Sequence, residues 1–236
     1  MQILFDIATL ILGYILGAIP FGLLVVKLKT GEDIRTIESG RTGGTNALRA
    51  AGLGAGLLTV LLDILKGAGA VWIASAINPE SHLLHALAPV AAIIGHNYSI
   101  FLPHRDEQGK LVRLGGGAGG APTVGGAFGL WPLSILIIVP LGALVFFTIG
   151  IASITTMSVA LIAMIIFLIR AVQGTGPWID VLYGVLAELL LLWSLRPNLK
   201  KLFSGQERIV KLSLHGWIKA KREQGRKEQV NPGNAS

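Results

Sequence analysis

Asp33-Ile34-Arg35-Thr36-Ile37-Glu38-Ser39-Gly40-Arg41-Thr42-Gly43-Gly44-Thr45-Asn46-Ala47-Leu48-Arg49 is the most polar glycine-rich segment of an otherwise apolar chain. It lies between two apolar runs, Ile3 to Val26 and Leu53 to Ile77. Each run is long enough to cross ~30 Å of hydrocarbon as a helix. The segment therefore reads as a loop at a membrane surface joining two spans. Its glycines let backbone N–H groups converge on an anion without a Cβ in the way. Arg35, Arg41 and Arg49 supply forked donors that match phosphate oxygens. Ser39, Thr45 and Asn46 add directional contacts. The competing reading is a solvated loop that merely obeys the positive-inside rule. That rule asks for the arginines but not for Gly-Gly-Thr-Asn, so an anion loop is favoured.

Working outward, the 236 residues are 52% hydrophobic and 14% charged. A soluble domain has about a quarter of its residues charged. The short alternating segments of a membrane barrel are absent. The chain is expected to be an all-α, polytopic integral membrane protein. Cysteine is absent, which excludes disulfides, thiolate catalysis and Cys-ligated metal. The net charge of +7 points to cytoplasmic loops and anionic headgroups, not to nucleic acid.

In the first run the lysines, Lys27 and Lys29, follow the apolar stretch, which puts the N-terminus outside. Gly13 and Gly17 predict close helix packing, and Pro20 predicts a kink or break. Asp63 and Lys66 in the second run share one helix face. They read either as an ion pair facing the bundle or as a polar floor under the anion loop. A third span, Leu83 to Leu102, ends near His96 and Asn97, and either could meet a phosphate or serve the fold. A second glycine loop follows, Gly115-Gly116-Gly117-Ala118-Gly119-Gly120, preceded by a charged stretch from His104 to Arg113. It could line a phosphate with backbone amides or act as a hinge.

The apolar stretch from Pro122 to Ile169 divides near Trp131-Pro132 and near Gly150. Four spans result: Pro122–Leu133, Ser134–Ile149, Ile151–Ile169 and Trp178–Leu195. The basic tail after Arg196 belongs inside, so the crossings must be odd in number, and about seven fit. No charge holds the turn at Gly150. Residues 1–222 read as one transmembrane domain and 223–236 as a polar, disordered tail. Asn198, Gly205 and Glu207 add hydrogen-bonding capacity that a basic surface helix against anionic lipid would not need. Three polar loops thus meet on one membrane face.

The residues also carry a resemblance. Gly17-Ala18-Ile19-Pro20-Phe21-Gly22, Asp33-Ile34-Arg35, Ser39-Gly40, Gly44-Thr45-Asn46 with Arg49, Leu62-Asp63 with Lys66-Gly67, Gly95-His96-Asn97, and Asn198 with Gly205-x-Glu207 occur in this order. Together they resemble the bacterial acyl-phosphate:glycerol-3-phosphate acyltransferases, the PlsY-like membrane acyltransferases. The resemblance spans residues 13–126 and 190–211. It implies seven membrane helices in the bacterial inner membrane and a site facing the cytoplasm. It implies acyl phosphate and glycerol 3-phosphate as substrates, with membrane lipid around them. Transfer to the 1-hydroxyl would give lysophosphatidic acid for phospholipid synthesis, with no cofactor and no metal. None of the five histidines has Asp five residues later, so the His-x4-Asp signature of other acyltransferases is missing, as it is in this family.

Carried over, Ser39, Arg49 and Asn198 would be catalytic. Gly40, Gly44, Thr45, Asn46, His96, Asn97, Gly115, Gly116, Gly117, Gly119, Gly120 and Glu207 would bind substrate and its phosphate. The chain departs from the family pattern at several places. A second-loop lysine is replaced by Gly117 or Ala118, residues flanking the first-loop serine become Glu38 and Arg41, and a third-loop histidine becomes Leu195. Lys110 or Arg113 would have to fold back to restore the lost charge. Two alternatives stand beside the enzyme: an impaired or repurposed homologue that binds phosphate or lipid headgroups, and a small membrane transporter. Scattered carboxylates and histidines suggest no metal site, and nothing in the sequence sets an oligomeric state.

Overall fold

The computed structural model describes residues 1–230, with side chains through 222. Helix α1 (Gln2–Ala18) breaks at Ile19-Pro20 and resumes as α2 (Phe21–Thr30). Pro20 has no N–H to donate and forces the preceding residue out of helical geometry. Ile19 accordingly takes φ −58° and ψ 117°. The break is served from α4 (Leu53–Ile77): Lys66 Nζ donates to Ile19 O at 3.0 Å. The same Nζ lies 2.8 Å from Asp63 Oδ1, with both side chains only 1% exposed. The pair thus faces the bundle and binds α4 to the α1–α2 break.

Between them, the first polar loop holds a short 3-10 turn at Ile34–Thr36 and a helix the sequence reading lacked, α3 (Gly44–Ala51). Helix α5 (His82–Asn97) starts where Ser81 Oγ accepts Leu84 N. Pro89 sits inside α5 without ending it. Gly17 and Gly95 are where α1 and α5 touch backbone to backbone: a Cβ on Gly17 would overlap Ala92, and one on Gly95 would overlap Tyr14 O. The expected close packing of α1 at its glycines is therefore found, against α5.

The all-α expectation needs correction. The inserted segment is an antiparallel hairpin, β1 (Ser99–Arg105) with β2 (Leu111–Gly115). Ile100, Phe101, Leu111 and Val112 favour extended backbone. The turn is set by Asp106 Oδ1, which accepts Gln108 N and Lys110 N, and by Gly109 at φ +78°. The third span consequently stops at Asn97 and not at Leu102.

Helices α6 (Gly120–Leu130), α7 (Ile135–Ile149), α8 (Ala152–Val172) and α9 (Trp178–Ser194) follow, then α10 (Arg196–Phe203) and α11 (Leu214–Val230). The breaks at Trp131-Pro132 and Gly150 fall where the sequence puts them. Helix α11 runs past Arg222, where the sequence reading begins a disordered tail; residues 231–236 lie outside the described residues. Counting α1 and α2 as one, four helices among the described residues are long and apolar enough to cross a membrane, and five if the bent α9–α10 pair is added. Helices α5 and α6, with 16 and 11 residues, are shorter than a full crossing.

The main core joins Ile64 of α4, Ile93 of α5, Val124 and Ala127 of α6, Phe167 of α8, and Tyr183 and Leu191 of α9. The uncharged turn between α7 and α8 is held by the C-terminal segment. Val210 N donates to Gly150 O at 2.7 Å, Ile151 pairs with Ile209, and Gly150, at φ +72°, packs on Ser213. Backbone contacts do there what a charge would otherwise do.

Candidate functional site

The first loop is shaped by Asn46. It is buried, and its Nδ2 donates to the carbonyls of Ile34 (3.1 Å), Ile37 (3.0 Å) and Arg41 (2.9 Å). The expected phosphate contact from this amide is therefore corrected: its donors hold the loop together. Ile34 inserts beneath, against Val26 and Ala47. Glu38 takes φ +49°, unusual for a residue with a Cβ. Ser39 stands exposed, its Oγ accepting only the backbone N of Arg41, at 3.4 Å. Gly40 is left-handed at φ +66°. Gly44 packs against Val60 and Gly56 of α4, so its missing Cβ serves the helix contact. Thr45, half-buried, lies in the first turn of α3.

The second loop rests on the end of α5. Gly117 N donates to His96 O at 2.8 Å, and a Cβ on Gly116 would overlap that same carbonyl. A Cβ on Gly117 would run into the His96 ring. His96 is 5% exposed, with Nδ1 3.6 Å from Asp63 Oδ1. Its ring therefore lies under the loop and above the Asp63–Lys66 pair, not in an approach to it. The polar floor and the structural ion pair are one and the same. Gly119, at φ +95°, starts α6, and a Cβ there would meet Asn97 Oδ1 at 2.9 Å. Asn97 is 4% exposed, and neither its Nδ2 nor its Oδ1 has a hydrogen-bond partner. Gly120 abuts Thr156 of α8, whose Oγ1 would be 3.3 Å from an added Cβ. No motif in the sequence singled out Thr156. Gly115 borders the hairpin, against the His104 ring.

In the third loop, Asn198 Nδ2 donates to Glu207 Oε1 at 3.0 Å. Glu207 thereby orients Asn198, and its other oxygen, Oε2, is buried without a hydrogen-bond partner among the described residues. Arg208 pairs with Glu38 of the first loop at 3.2 Å. Arg49 is half-buried near Glu38, Arg208 and Glu207. Burial lowers its guanidinium from the usual value, Glu38 pushes it up, Arg208 down and Glu207 up.

What joins all three loops is Arg41. Its Nη1 donates to Gly117 O (2.9 Å) and Ser194 Oγ (3.2 Å), its Nη2 to Ser194 O (2.8 Å) and Asn198 Oδ1 (3.1 Å). Burial lowers its guanidinium most, Tyr98 and Glu207 raise it, and Arg113 lowers it again. Thr42 N adds a 3.3 Å bond to Gly116 O. The sequence reading took Arg41 as one of three arginines around the first loop and as a departure from the family pattern. Its function as the joint depends on contacts 76 to 157 positions away, which no local pattern encodes.

Lys110 caps the far end of the hairpin, exposed, with its N–H on Asp106. Five residues of strand, ~16 Å, separate it from Gly115, so Lys110 does not reach the glycine loop in this structure. Arg113 lies close enough to act on the Arg41 charge. Among the described residues, no three His, Asp or Glu side chains are grouped to hold a metal ion.

Residues 7–205 match the family model described as "Glycerol-3-phosphate acyltransferase". The glycerol-3-phosphate acyltransferase of Rubrobacter xylanophilus is 34% identical over 204 residues, covering 86% of this chain and 94% of that protein. That of Rhodopseudomonas palustris is 37% identical over 205 residues, covering 85% and 93%. The crystal structure of PlsY, an integral membrane glycerol 3-phosphate acyltransferase in its glycerol 3-phosphate form, superposes with a TM-score of 0.72 at 28% identity. That likeness covers 86% of this chain and 94% of the other. The chain belongs to the glycerol-3-phosphate acyltransferase family.

Proposed function

We propose that the protein transfers an acyl group from acyl phosphate to the 1-hydroxyl of glycerol 3-phosphate, forming lysophosphatidic acid for phospholipid synthesis. The hydroxyl oxygen bonds to the acyl carbon, the acyl C–O bond to phosphate breaks, and inorganic phosphate leaves with its electron pair. The hydroxyl proton passes to phosphate, so no protein nucleophile is required. What the protein supplies is orientation and positive charge.

The observation that carries this reading is the meeting of three polar loops, drawn from distant parts of an apolar chain, around Asn198 and the Gly115–Gly120 backbone. Ser39, exposed at the rim, would receive the glycerol hydroxyl. Arg49, half-buried among Glu38, Glu207 and Arg208, would hold a phosphate charge. Asn198, held by Glu207, would orient the reacting groups. In this reading the bundle crosses a bacterial inner membrane seven times, with the N-terminus outside. The site and the C-terminus face the cytoplasm. The contacts of the first loop and of the α7–α8 turn with the C-terminal segment support a common face for these parts. An acyl chain would then approach from the bilayer and the soluble acceptor from water.

The test is lysophosphatidate formation by purified protein carrying Ser39→Ala or Arg49→Ala. Each is expected to lose activity by ~10²-fold or more, the scale set by removing one group that stabilises transition-state charge. Activity unchanged in both would remove this loop from the site.

A further inference from the structure

The Arg41 guanidinium is largely out of water, yet all four acceptors it bonds are neutral: Gly117 O, Ser194 O, Ser194 Oγ and Asn198 Oδ1. The acidic group nearest in this network, Glu207, is one amide further away, across Asn198. Arg113, a second cation, bears on the same charge. Burying a charge with only neutral partners is costly, and such a site is completed by a counter-ion. A second, independent observation lies across the glycine loop. Asn97 is 4% exposed, and its whole side-chain amide is unpartnered against Gly119. The two groups border the same glycine loop, Arg41 at the Gly117 carbonyl and Asn97 at Gly119; the first lacks a counter-charge and the second lacks hydrogen-bond partners. A dianion with several acceptor oxygens would offset the charge of Arg41 and accept from the Asn97 Nδ2.

We propose that Arg41 is the fixed cation of a phosphate-monoester or acyl-phosphate site on the Gly115–Gly120 loop, with Asn97 as its neutral partner. The inference deepens the acyltransferase reading of the same site and rests on it for the identity of the phosphate. The charge comes from the first loop, because the second loop carries only glycine and alanine from 115 to 120. A longer side chain at Gly117 would strike the His96 ring, so the cation has to reach the loop from outside. The phosphate could be that of the acyl donor or that of glycerol 3-phosphate.

The experiment compares wild type with Arg41→Gln, which keeps polar contacts but no charge, and with Arg41→Lys, which keeps the charge but not the fork. KM for acyl phosphate and for glycerol 3-phosphate are measured separately, and the rise in Tm caused by inorganic phosphate is measured without substrate. Arg41→Gln is expected to raise one KM by roughly 10- to 100-fold and to abolish the phosphate-induced Tm rise. Arg41→Lys is expected to keep most of that rise. Which KM moves identifies the substrate. Unchanged KM values with an equal phosphate shift in Arg41→Gln would overturn the proposal, as would a wild type that phosphate does not stabilise. Should Arg41→Gln fail to fold, Arg41→Lys decides: a retained phosphate shift supports the charge, and its loss in a normally stable protein overturns it. A wild type that is stabilised by phosphate through Arg41, yet forms no lysophosphatidate, would keep this inference and sink the acyltransferase reading.

Discussion

The side chain of Asn198 is held from both ends, its Oδ1 accepting from Arg41 and its Nδ2 donating to Glu207 Oε1 at 3.0 Å. This arrangement fixes which way the amide points. Replacing it with a carboxylate sets two anions face to face. Asn198→Asp is therefore expected to lower kcat by ~10²-fold, more than Glu207→Gln, which leaves an acceptor for the Asn198 amide. Steady-state kinetics on both variants checks the order; equal effects would mean that Glu207 acts on substrate and not through Asn198.

Asp63 and Lys66 are buried as a pair under the glycine loop, and Lys66 also donates to the Ile19 carbonyl at the α1–α2 break. Lys66→Met strands a buried carboxylate and is expected to cost about 3–5 kcal/mol. The double change Asp63→Leu with Lys66→Met is expected to recover much of that stability. Thermal unfolding in detergent reads both; a double variant no better than the single would mean that the Ile19 contact, and not the pair, carries the effect.

Gly117 has no room for a methyl group because the His96 ring occupies it. Gly117→Ala should push the loop off the end of α5 and reduce activity by ~10-fold or more, the scale on which small misplacements act. Gly109, at φ +78° on the hairpin turn, has open space around it. Gly109→Ala should cost only about 1 kcal/mol of local backbone strain and leave kinetics unchanged. Parallel assays of the two separate loop geometry from strain alone.

Lys110 sits at the hairpin tip, away from the glycine loop. Lys110→Ala should leave kcat and both KM values within about twofold, as surface changes usually do. A large loss would mean that the hairpin folds over the site during turnover.

Much of the fold was legible because the bilayer constrains it. The apolar runs, the breaks at Pro20, Trp131-Pro132 and Gly150, and the packing of Gly17 all follow from local rules about helix length, proline and glycine. The hairpin was not read, because the charged stretch around Asp106 to Lys110 looks like any loop until its flanking Ile100, Phe101, Leu111 and Val112 pair. Helix α3 was hidden inside a segment read for its anion-binding chemistry. At the site, the loops that meet could be named from their glycines and polar residues, while the individual roles could not. Asn46 carries the right chemistry for a ligand but spends its amide donors on loop carbonyls, and Glu207 spends one carboxylate oxygen on Asn198. Arg41 matters through contacts distant in sequence.

The most direct measurement is lysophosphatidate formation by the purified wild-type protein, supplied with palmitoyl phosphate, palmitoyl-CoA or palmitoyl-acyl carrier protein as donor and with glycerol 3-phosphate as acceptor. The account predicts product with palmitoyl phosphate, one inorganic phosphate released per acyl group transferred, and none with the two thioesters. Product from a thioester alone would contradict the donor assignment, and no product from any donor would contradict the enzymatic reading itself.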